Sequence, residues 1–311
     1  MKCLVLHTRF AEKLATDLRK EFGHTEFLPF NSIEMTNPLL KEIDVCIVAR
    51  EFPNGLFSQM PKLKWIQLTG VGYEHVGRGM PALGVMVTNA GALPSLAVAE
   101  FVFSNILMFS KGLPDVLSQQ QMREWKLPDI TLMRDLSVTV LGTGNIGSQL
   151  AKLLGPMGTK VIGINRSGLK PFETPFSKIV KLKDASDELM STDFLVVAVP
   201  SSSDTAGMVS SDLLLKLKPS ARIISVSRQN VLDLKVVVER LNNNLLASAS
   251  LDTFDDEPLT PNHPLWTQKN LYVTPHCAFY YKNHYRDLVQ MISNNFRNFG
   301  NNTTLTNVVE I

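Results

Sequence analysis

The stretch Leu141-Gly142-Thr143-Gly144-Asn145-Ile146-Gly147 constrains the fold more than any other part of the chain. It contains G-x-G-x-x-G, follows the Val-rich run Val138–Leu141, and opens a segment in which Ile146, Leu150, Leu153 and Leu154 repeat at helical spacing. Alone, that string is common in loops. Between a strand and a helix it has a physical rationale. Gly142 permits a tight turn, Gly144 lets a pyrophosphate approach the backbone, and Gly147 lets the helix pack closely on the strand. Free N–H groups in the first helical turn, which holds Asn145 and Ile146, are then available to the phosphates. A dinucleotide-binding βαβ unit is expected.

The rest of the chain repeats the same alternation. Cys3–Leu6, Val45–Val48, Trp65–Leu68 and Val85–Thr88 are short apolar runs bounded by turn signals, and residues 11–22 place Leu14, Leu18 and Phe22 on one helical face. A helix from about Ser95 to Ser110 is apolar nearly all round, through Ala97, Val98, Phe101, Ile106 and Phe109, and is expected to be buried between layers. A second helix starts at Pro114 and runs toward Trp125. After Ser137 come strands at Val138–Leu141, Lys160–Ile164, Phe194–Val199, Arg222–Val226, Ala247–Leu251 and Leu271–Thr274, a helix over Asn145–Met157, and a last amphipathic helix over Lys282–Phe299. The class is α/β with parallel sheets, and 311 residues suit two domains.

Composition removes several alternatives. Hydrophobic residues are 44% of the chain, which gives no case for disorder, and a net charge of +2 gives none for nucleic acid or a membrane surface as partner. No run approaches the roughly 18 apolar residues of a membrane span. Cys3, Cys46 and Cys277 have neither disulfide-framework nor metal-ligand spacing, so no metal is expected and a cytoplasmic setting fits.

Where the strand after the glycine motif ends, an NAD site usually carries Asp or Glu to bind the ribose 2′-hydroxyl. This chain has Asn165-Arg166-Ser167: a neutral residue, a cation and a hydroxyl. That set suits a 2′-phosphate, so NADP(H) is the preferred cofactor and NAD(H) remains usable. Three other segments place ionisable residues at or just after strand ends, the edge where open α/β sheets bind ligands. They are Ile223-Ile224-Ser225-Val226-Ser227-Arg228, Asp252-Thr253-Phe254-Asp255-Asp256-Glu257-Pro258 and Val273-Thr274-Pro275-His276.

With these segments the chain resembles the D-2-hydroxyacid dehydrogenase family, in order and over nearly its whole length. Gln67-Leu68-Thr69-Gly70-Val71-Gly72 is similar to the family's substrate-carboxylate loop, and Val87-Thr88-Asn89-Ala90 with Ala97-Val98-Ala99-Glu100 to the entrance of its interdomain helix. The Ser-Arg, Asp-x-Phe-x-x-Glu-Pro and Thr-Pro-His motifs carry its catalytic triad, here Arg228, Glu257 and His276. The resemblance implies two Rossmann-like doubly wound parallel-sheet domains with the active site in the cleft between them. Residues 98–275 would be the dinucleotide-binding domain, and 1–97 with 276–311 a discontinuous substrate-binding domain. It also implies a homodimer packed through the interdomain helix region.

The residue types suit the reduction of a small 2-keto acid to a D-2-hydroxy acid. Arg228 can bind both carboxylate and carbonyl through its planar fork, and amides at Val71 and Gly72 would hold the other carboxylate oxygen. His276 would be the general acid, and the base in the reverse direction; Glu257 would orient it and favour its protonated form. Asp252 would contact the nicotinamide end of the cofactor, or else cap a turn. Val199, Pro200 and Val226 complete the cofactor-binding set. Arg50 is read as an ion-pair partner or a substrate contact, and Trp125 and Tyr280 as pocket walls or as core or dimer packing.

Three departures from the family pattern stand out. Gln229 replaces the Gly that usually follows the arginine; Asn165-Arg166 replaces the acidic residue; and Cys277-Ala278-Phe279-Tyr280-Tyr281 is more aromatic than usual, which points to a bulkier or apolar 2-keto acid. Phosphoglycerate dehydrogenase is an alternative, although the chain ends too soon after its last helix to hold an added regulatory domain. Formate dehydrogenases carry Gln where Glu257 stands. Dinucleotide-sensing corepressors share fold and triad; turnover separates them from an enzyme.

Overall fold

Short runs of β-branched and apolar residues form parallel strands where helices cover both faces of a sheet, and this chain does so twice. The computed structural model describes residues 1–49, 52, 55–73, 76, 84–171 and 173–309. Two compact units result, one of Met1–Pro94 with Tyr281–Ile311, the other of Ser95–Tyr280.

The first unit begins with β1 (Lys2–Leu6), α1 (Ala11–Arg19), β2 (Glu26–Phe30), β3 (Val45–Val48), β4 (Trp65–Leu68) and β5 (Met86–Thr88). The sheet order is β2-β1-β3-β4-β5, all parallel. Helix α1 buries Leu14 and Leu18, whereas Phe22 lies beyond its end and is half-buried. Strand β2 escapes the sequence pattern because Pro29 interrupts it. An edge strand tolerates proline, and among the described residues β2 pairs only with β1.

The second unit holds α2 (Ser95–Ser110), α3 (Leu113–Met122), β6 (Ser137–Leu141), α4 (Asn145–Leu154), β7 (Lys160–Asn165) and β8 (Lys178–Lys181). It continues with α5 (Ser186–Ser191), β9 (Phe194–Val197), α6 (Ser211–Leu215), β10 (Arg222–Ser225), α7 (Leu234–Asn242), β11 (Ser248–Leu251) and β12 (Leu271–Val273). Its seven strands run parallel in the order β12-β11-β10-β9-β6-β7-β8. The order reverses direction between β6 and β9, the switch point where such sheets leave a ligand crevice. Edge strand β8, Lys-Ile-Val-Lys, holds two apolar residues and is too short to register as a strand in the sequence. Helix α4 stops at Leu154, three residues earlier than the periodicity suggests. Pro156 lacks the N–H that another α-turn needs, and Gly155–Met157 form a 3₁₀ turn instead.

Helix α2 corrects an expectation. It is not buried all round. Ala99, Val102, Ile106 and Phe109 face the core, with Val138, Val140 and Leu150 in the same cluster, and Val98 is buried too, while Leu96 is 50% exposed and Ala97 and Phe101 are half-buried. Helix α3 has no buried residue at all. Among the described residues no single helix is long and apolar enough to cross a membrane.

The chain returns to the first unit as α8 (His284–Gly300), which packs Leu288, Ile292 and Phe296 with Leu14 and Trp65. A buried polar chain fixes this return. Asn295 donates to Gln67 Oε1 at 2.9 Å and accepts from the Thr306 amide at 2.8 Å, and Thr88 donates to the same Gln67 oxygen at 2.8 Å. The Val309 amide then donates to the Val87 carbonyl at 2.8 Å. Such fully paired buried polar groups specify one docking register for the tail.

Candidate active site

Parallel strands deliver all their C-terminal ends to one edge. Beyond β10, β11 and β12 the second unit therefore collects Arg228, Glu257 and His276. The His276 Nδ1 lies 2.8 Å from Glu257 Oε2, and its Nε2 lies 3.5 Å from Arg228 Nη1. With Nδ1–H donating to the carboxylate, the imidazole tautomer is set and Nε2 is the working nitrogen. Glu257 is itself fixed, since its Oε1 accepts from the Phe254 amide at 2.7 Å. Histidine and glutamate side chains keep 28% and 27% of their exposure, enough for a small ligand to reach the ring. Among the described residues no group of His, Cys, Asp and Glu forms a metal site.

His276 sits at φ 52°, an uncommon conformation for a residue with a Cβ. Asp252 holds it there. Its carboxylate is 2% exposed and accepts from Thr274 Oγ1 at 2.7 Å, the Cys277 amide at 3.0 Å and the Ala278 amide at 3.0 Å. These bonds bracket the histidine on both sides in sequence. These three bonds are those of the turn-cap alternative. Gln229, which replaces the family's glycine, accepts from the Asp255 amide at 3.0 Å, and Thr253 Oγ1 donates to the Ser227 carbonyl. The arginine loop and the glutamate loop are thereby tied together. The Phe279 ring meets His276 edge-on at 5.8 Å, whereas Tyr280 is 68% exposed.

The glycine loop has the shape its sequence demands. Gly142 is at φ +109°, and a Cβ there would come within 2.7 Å of the Ala198 carbonyl oxygen. At Gly147 a Cβ would come within 2.0 Å of the Gly142 carbonyl oxygen, so the start of α4 could not seat against β6. A Cβ at Gly144 would meet nothing within 4 Å. Packing does not demand glycine at that position, and the space beside it is open. Asn145 and Ile146 lie in the first turn of α4, whose leading amides are left for an anion. Val199, Pro200 and Val226 stand just past β9 and β10 along the same edge. The residues present fit a bound dinucleotide.

In the turn after β7 the side chains expected at the ribose have partners within the protein. Asn165 is a brace: it accepts from the Gly168 amide at 2.6 Å and donates to Thr143 Oγ1 at 3.2 Å, joining this turn to the glycine loop. Arg166 is ion-paired to Asp204 at 2.8 Å, with side chains 85% and 63% exposed. Nothing in the sequence signals that pair, because its members are 38 positions apart. Ser167 is exposed, and its hydroxyl lies 3.3 Å from Asn165 Oδ1.

The other candidates are dispersed. Val71 and Gly72 follow β4 in the first unit, where Asn89 donates to the Val71 carbonyl at 2.7 Å and leaves both backbone amides unpartnered among the described residues. Arg50 lies outside the described residues. Trp125 is fully exposed, which excludes core packing within one chain. His276 falls in the Ser95–Tyr280 unit, so Arg228, Glu257 and His276 all belong to one body; the expected boundary at 275/276 had separated them.

A family model described as D-isomer specific 2-hydroxyacid dehydrogenase, NAD binding domain, matches residues 103–278. The chain belongs to the D-isomer specific 2-hydroxyacid dehydrogenase family. A glyoxylate reductase of Aeropyrum pernix is 29% identical over 233 residues, covering 72% of this chain and 69% of that protein. The structure of an NADPH-dependent glyoxylate/hydroxypyruvate reductase from Sinorhizobium meliloti, in complex with NADP and sulfate, superposes with a TM-score of 0.83 at 26% identity, covering 100% of this chain and 98% of the other. A D-isomer specific 2-hydroxyacid dehydrogenase from Xanthobacter autotrophicus shares the fold, with a TM-score of 0.85 at 24% identity and 100% and 98% of the two chains covered. As a member of the D-2-hydroxyacid dehydrogenases the chain is an NAD(P)-dependent oxidoreductase acting between 2-keto and 2-hydroxy acids.

Proposed function

We propose that this dehydrogenase reduces a small 2-keto acid to the D-2-hydroxy acid, with NADPH preferred over NADH. The observation that carries the reading is the Arg228–His276–Glu257 array on a single sheet edge. The bound nicotinamide supplies the hydride. Arg228 binds the substrate carboxylate and polarises the carbonyl oxygen, in a geometry lysine does not offer. His276 delivers a proton from Nε2 to that oxygen as the alkoxide forms, and Glu257 stabilises the imidazolium and its orientation. Asp252 is a positioning residue, holding the His276 loop through the three bonds described above. The amides of Val71 and Gly72 are assigned to the second carboxylate oxygen, which makes the first unit the substrate-binding domain and the second the dinucleotide-binding domain.

NADPH preference is supported by the lack of an acidic residue at 165–167 and agrees with the cofactor named for the Sinorhizobium meliloti reductase. The chain works in the cytoplasm, where its three free cysteines stay reduced. It assembles as a homodimer through the α3 region, where Leu117, Met122, Trp125 and Leu127 are exposed.

The deciding experiment is a panel of glyoxylate, hydroxypyruvate, pyruvate, phenylpyruvate and branched 2-keto acids, each with NADPH and NADH. Rapid consumption of NADPH with at least one acid is expected. Tight cofactor binding without turnover on any of them would replace the enzyme with a dinucleotide sensor.

A further inference from the structure

The turn that follows β7 lies against a cation that the 165–167 motif does not include. Strands β7 and β8 are parallel neighbours, and their register sets Lys181 directly opposite Asn165. Both residues are the last of their strands, at the edge where the 165–169 turn begins. The Lys181 stem lies along that turn. A Cβ at Gly168 would come within 2.8 Å of Lys181 Cγ and 3.2 Å of its backbone nitrogen, and Gly168 is at φ +69°. Glycine at 168 is therefore required twice, by its dihedral and by the lysine lying against it. Asn165 braces the same turn to Thr143 in the glycine loop, so Lys181, the turn and the dinucleotide loop form one connected cluster.

The cations nearby differ in what already occupies them. Arg166 is paired with Asp204 at 2.8 Å. Lys178, at the other end of β8, is paired with Glu188 at 2.5 Å. Lys170 donates to the Ser177 carbonyl at 3.0 Å. Lys181 is exposed, and its ammonium has no hydrogen-bond or ion-pair partner among the described residues. A 2′-phosphate carries close to two negative charges. Beside Arg166 alone it would face a pair of near-zero net charge, and would have either to displace Asp204 or to lie next to its carboxylate.

We propose that Lys181 is the principal cation of a 2′-phosphate subsite on this chain, and that Asp204 holds NADPH affinity down by compensating Arg166. This rests on the NADPH reading above and deepens it. The Ser167 hydroxyl supplies a hydrogen bond, Lys181 supplies the uncompensated charge, and Arg166 contributes in proportion to its release from Asp204.

The test is the ratio of Kd for NADH to Kd for NADPH, from fluorescence titrations of the whole chain and its variants, with thermal melts to confirm folding. Titrations with 2′,5′-ADP against 5′-AMP isolate the phosphate from the nicotinamide. Lys181→Met should lower the ratio about tenfold, the size of one charge-assisted hydrogen bond, and more than Arg166→Ala does. Asp204→Asn should raise it severalfold, because an uncompensated Arg166 joins the site. Lys170→Met removes the same formal charge from the same surface and should leave the ratio where it was. The salt dependence of NADPH binding should flatten in Lys181→Met. An unchanged ratio in Lys181→Met beside a collapse in Arg166→Ala overturns the assignment, leaving Arg166 as the phosphate cation and the NADPH reading intact. A lowered ratio in Asp204→Asn overturns the compensation. An unmodified chain that binds NADH as tightly as NADPH overturns both this proposal and the cofactor preference.

Discussion

At the scale of single residues, the site divides proton delivery from charge recognition. His276 has one ring nitrogen committed to Glu257 at 2.8 Å, so only Nε2 can serve a substrate. His276→Gln keeps a polar group of similar reach but cannot deliver the proton. It should lower kcat about 10²–10⁴-fold while NADPH affinity, read by fluorescence titration, changes little. Near-full turnover in that variant would remove His276 from the acid's role. Arg228 offers a planar fork where lysine offers a point charge. Arg228→Lys should therefore lose at least about tenfold in kcat/KM even though the charge is kept, an amount that corresponds to one lost charge-assisted hydrogen bond. Wild-type efficiency with lysine would show that the fork is not used.

At the scale of elements, the strand ends carry the chemistry and the strand interiors carry the packing. His7 shows how closely the two adjoin. It follows β1, its ring stacks on Phe10 at 3.5 Å, and its Nδ1 accepts from the Arg9 amide at 3.1 Å. Burial, and then the charge of Arg9, push its pKa from 6.5 down to about 4. In the unfolded chain the same ring takes its proton near pH 6.5. Between these values the unfolded state binds the proton that the folded state refuses, so stability falls as pH drops from about 6.5 toward about 4. The ring is partly solvated, which limits this component to about 1–2 kcal/mol. Urea midpoints at pH 7 and pH 5 should lie closer together in His7→Gln than in the unmodified chain. Equal separations would mean that His7 is not held neutral by the fold.

At the scale of the whole molecule, the apolar surface on and after α3 is the feature that a lone chain leaves unexplained. Trp125 is 101% exposed and Leu127 96%, and Leu117 is 58% exposed on a helix with no buried residue. Large apolar groups clustered on a surface mark an association site. The unmodified chain should elute as a dimer in light-scattering chromatography at micromolar concentration, and Trp125→Ser combined with Leu127→Ser should shift it toward monomer. A monomeric unmodified chain under those conditions would rule this surface out as a self-association site.

The class of fold, the glycine loop and the order of the ionisable strand ends were all legible in the sequence. Each of these is local: Gly142, Gly144 and Gly147 lie within six residues of one another, and a strand's period shows in its own side chains. It also carried Arg228, Glu257 and His276 as types in sequence order, but not their contact, since the glutamate and the histidine are 19 positions apart and the arginine and the histidine 48. Edge strands β2 and β8 stayed hidden because an edge needs only one pairing partner and tolerates Pro29 or a pair of lysines. Folding was needed to show that α2 is covered on one face, that Asp252 is buried beneath the His276 loop, and that Arg166 meets Asp204 while Lys181 lies opposite Asn165. In each case the deciding quantity is a distance between groups remote in the chain. Local propensity and periodicity carry no information about such distances; the parallel register of the folded sheet sets them.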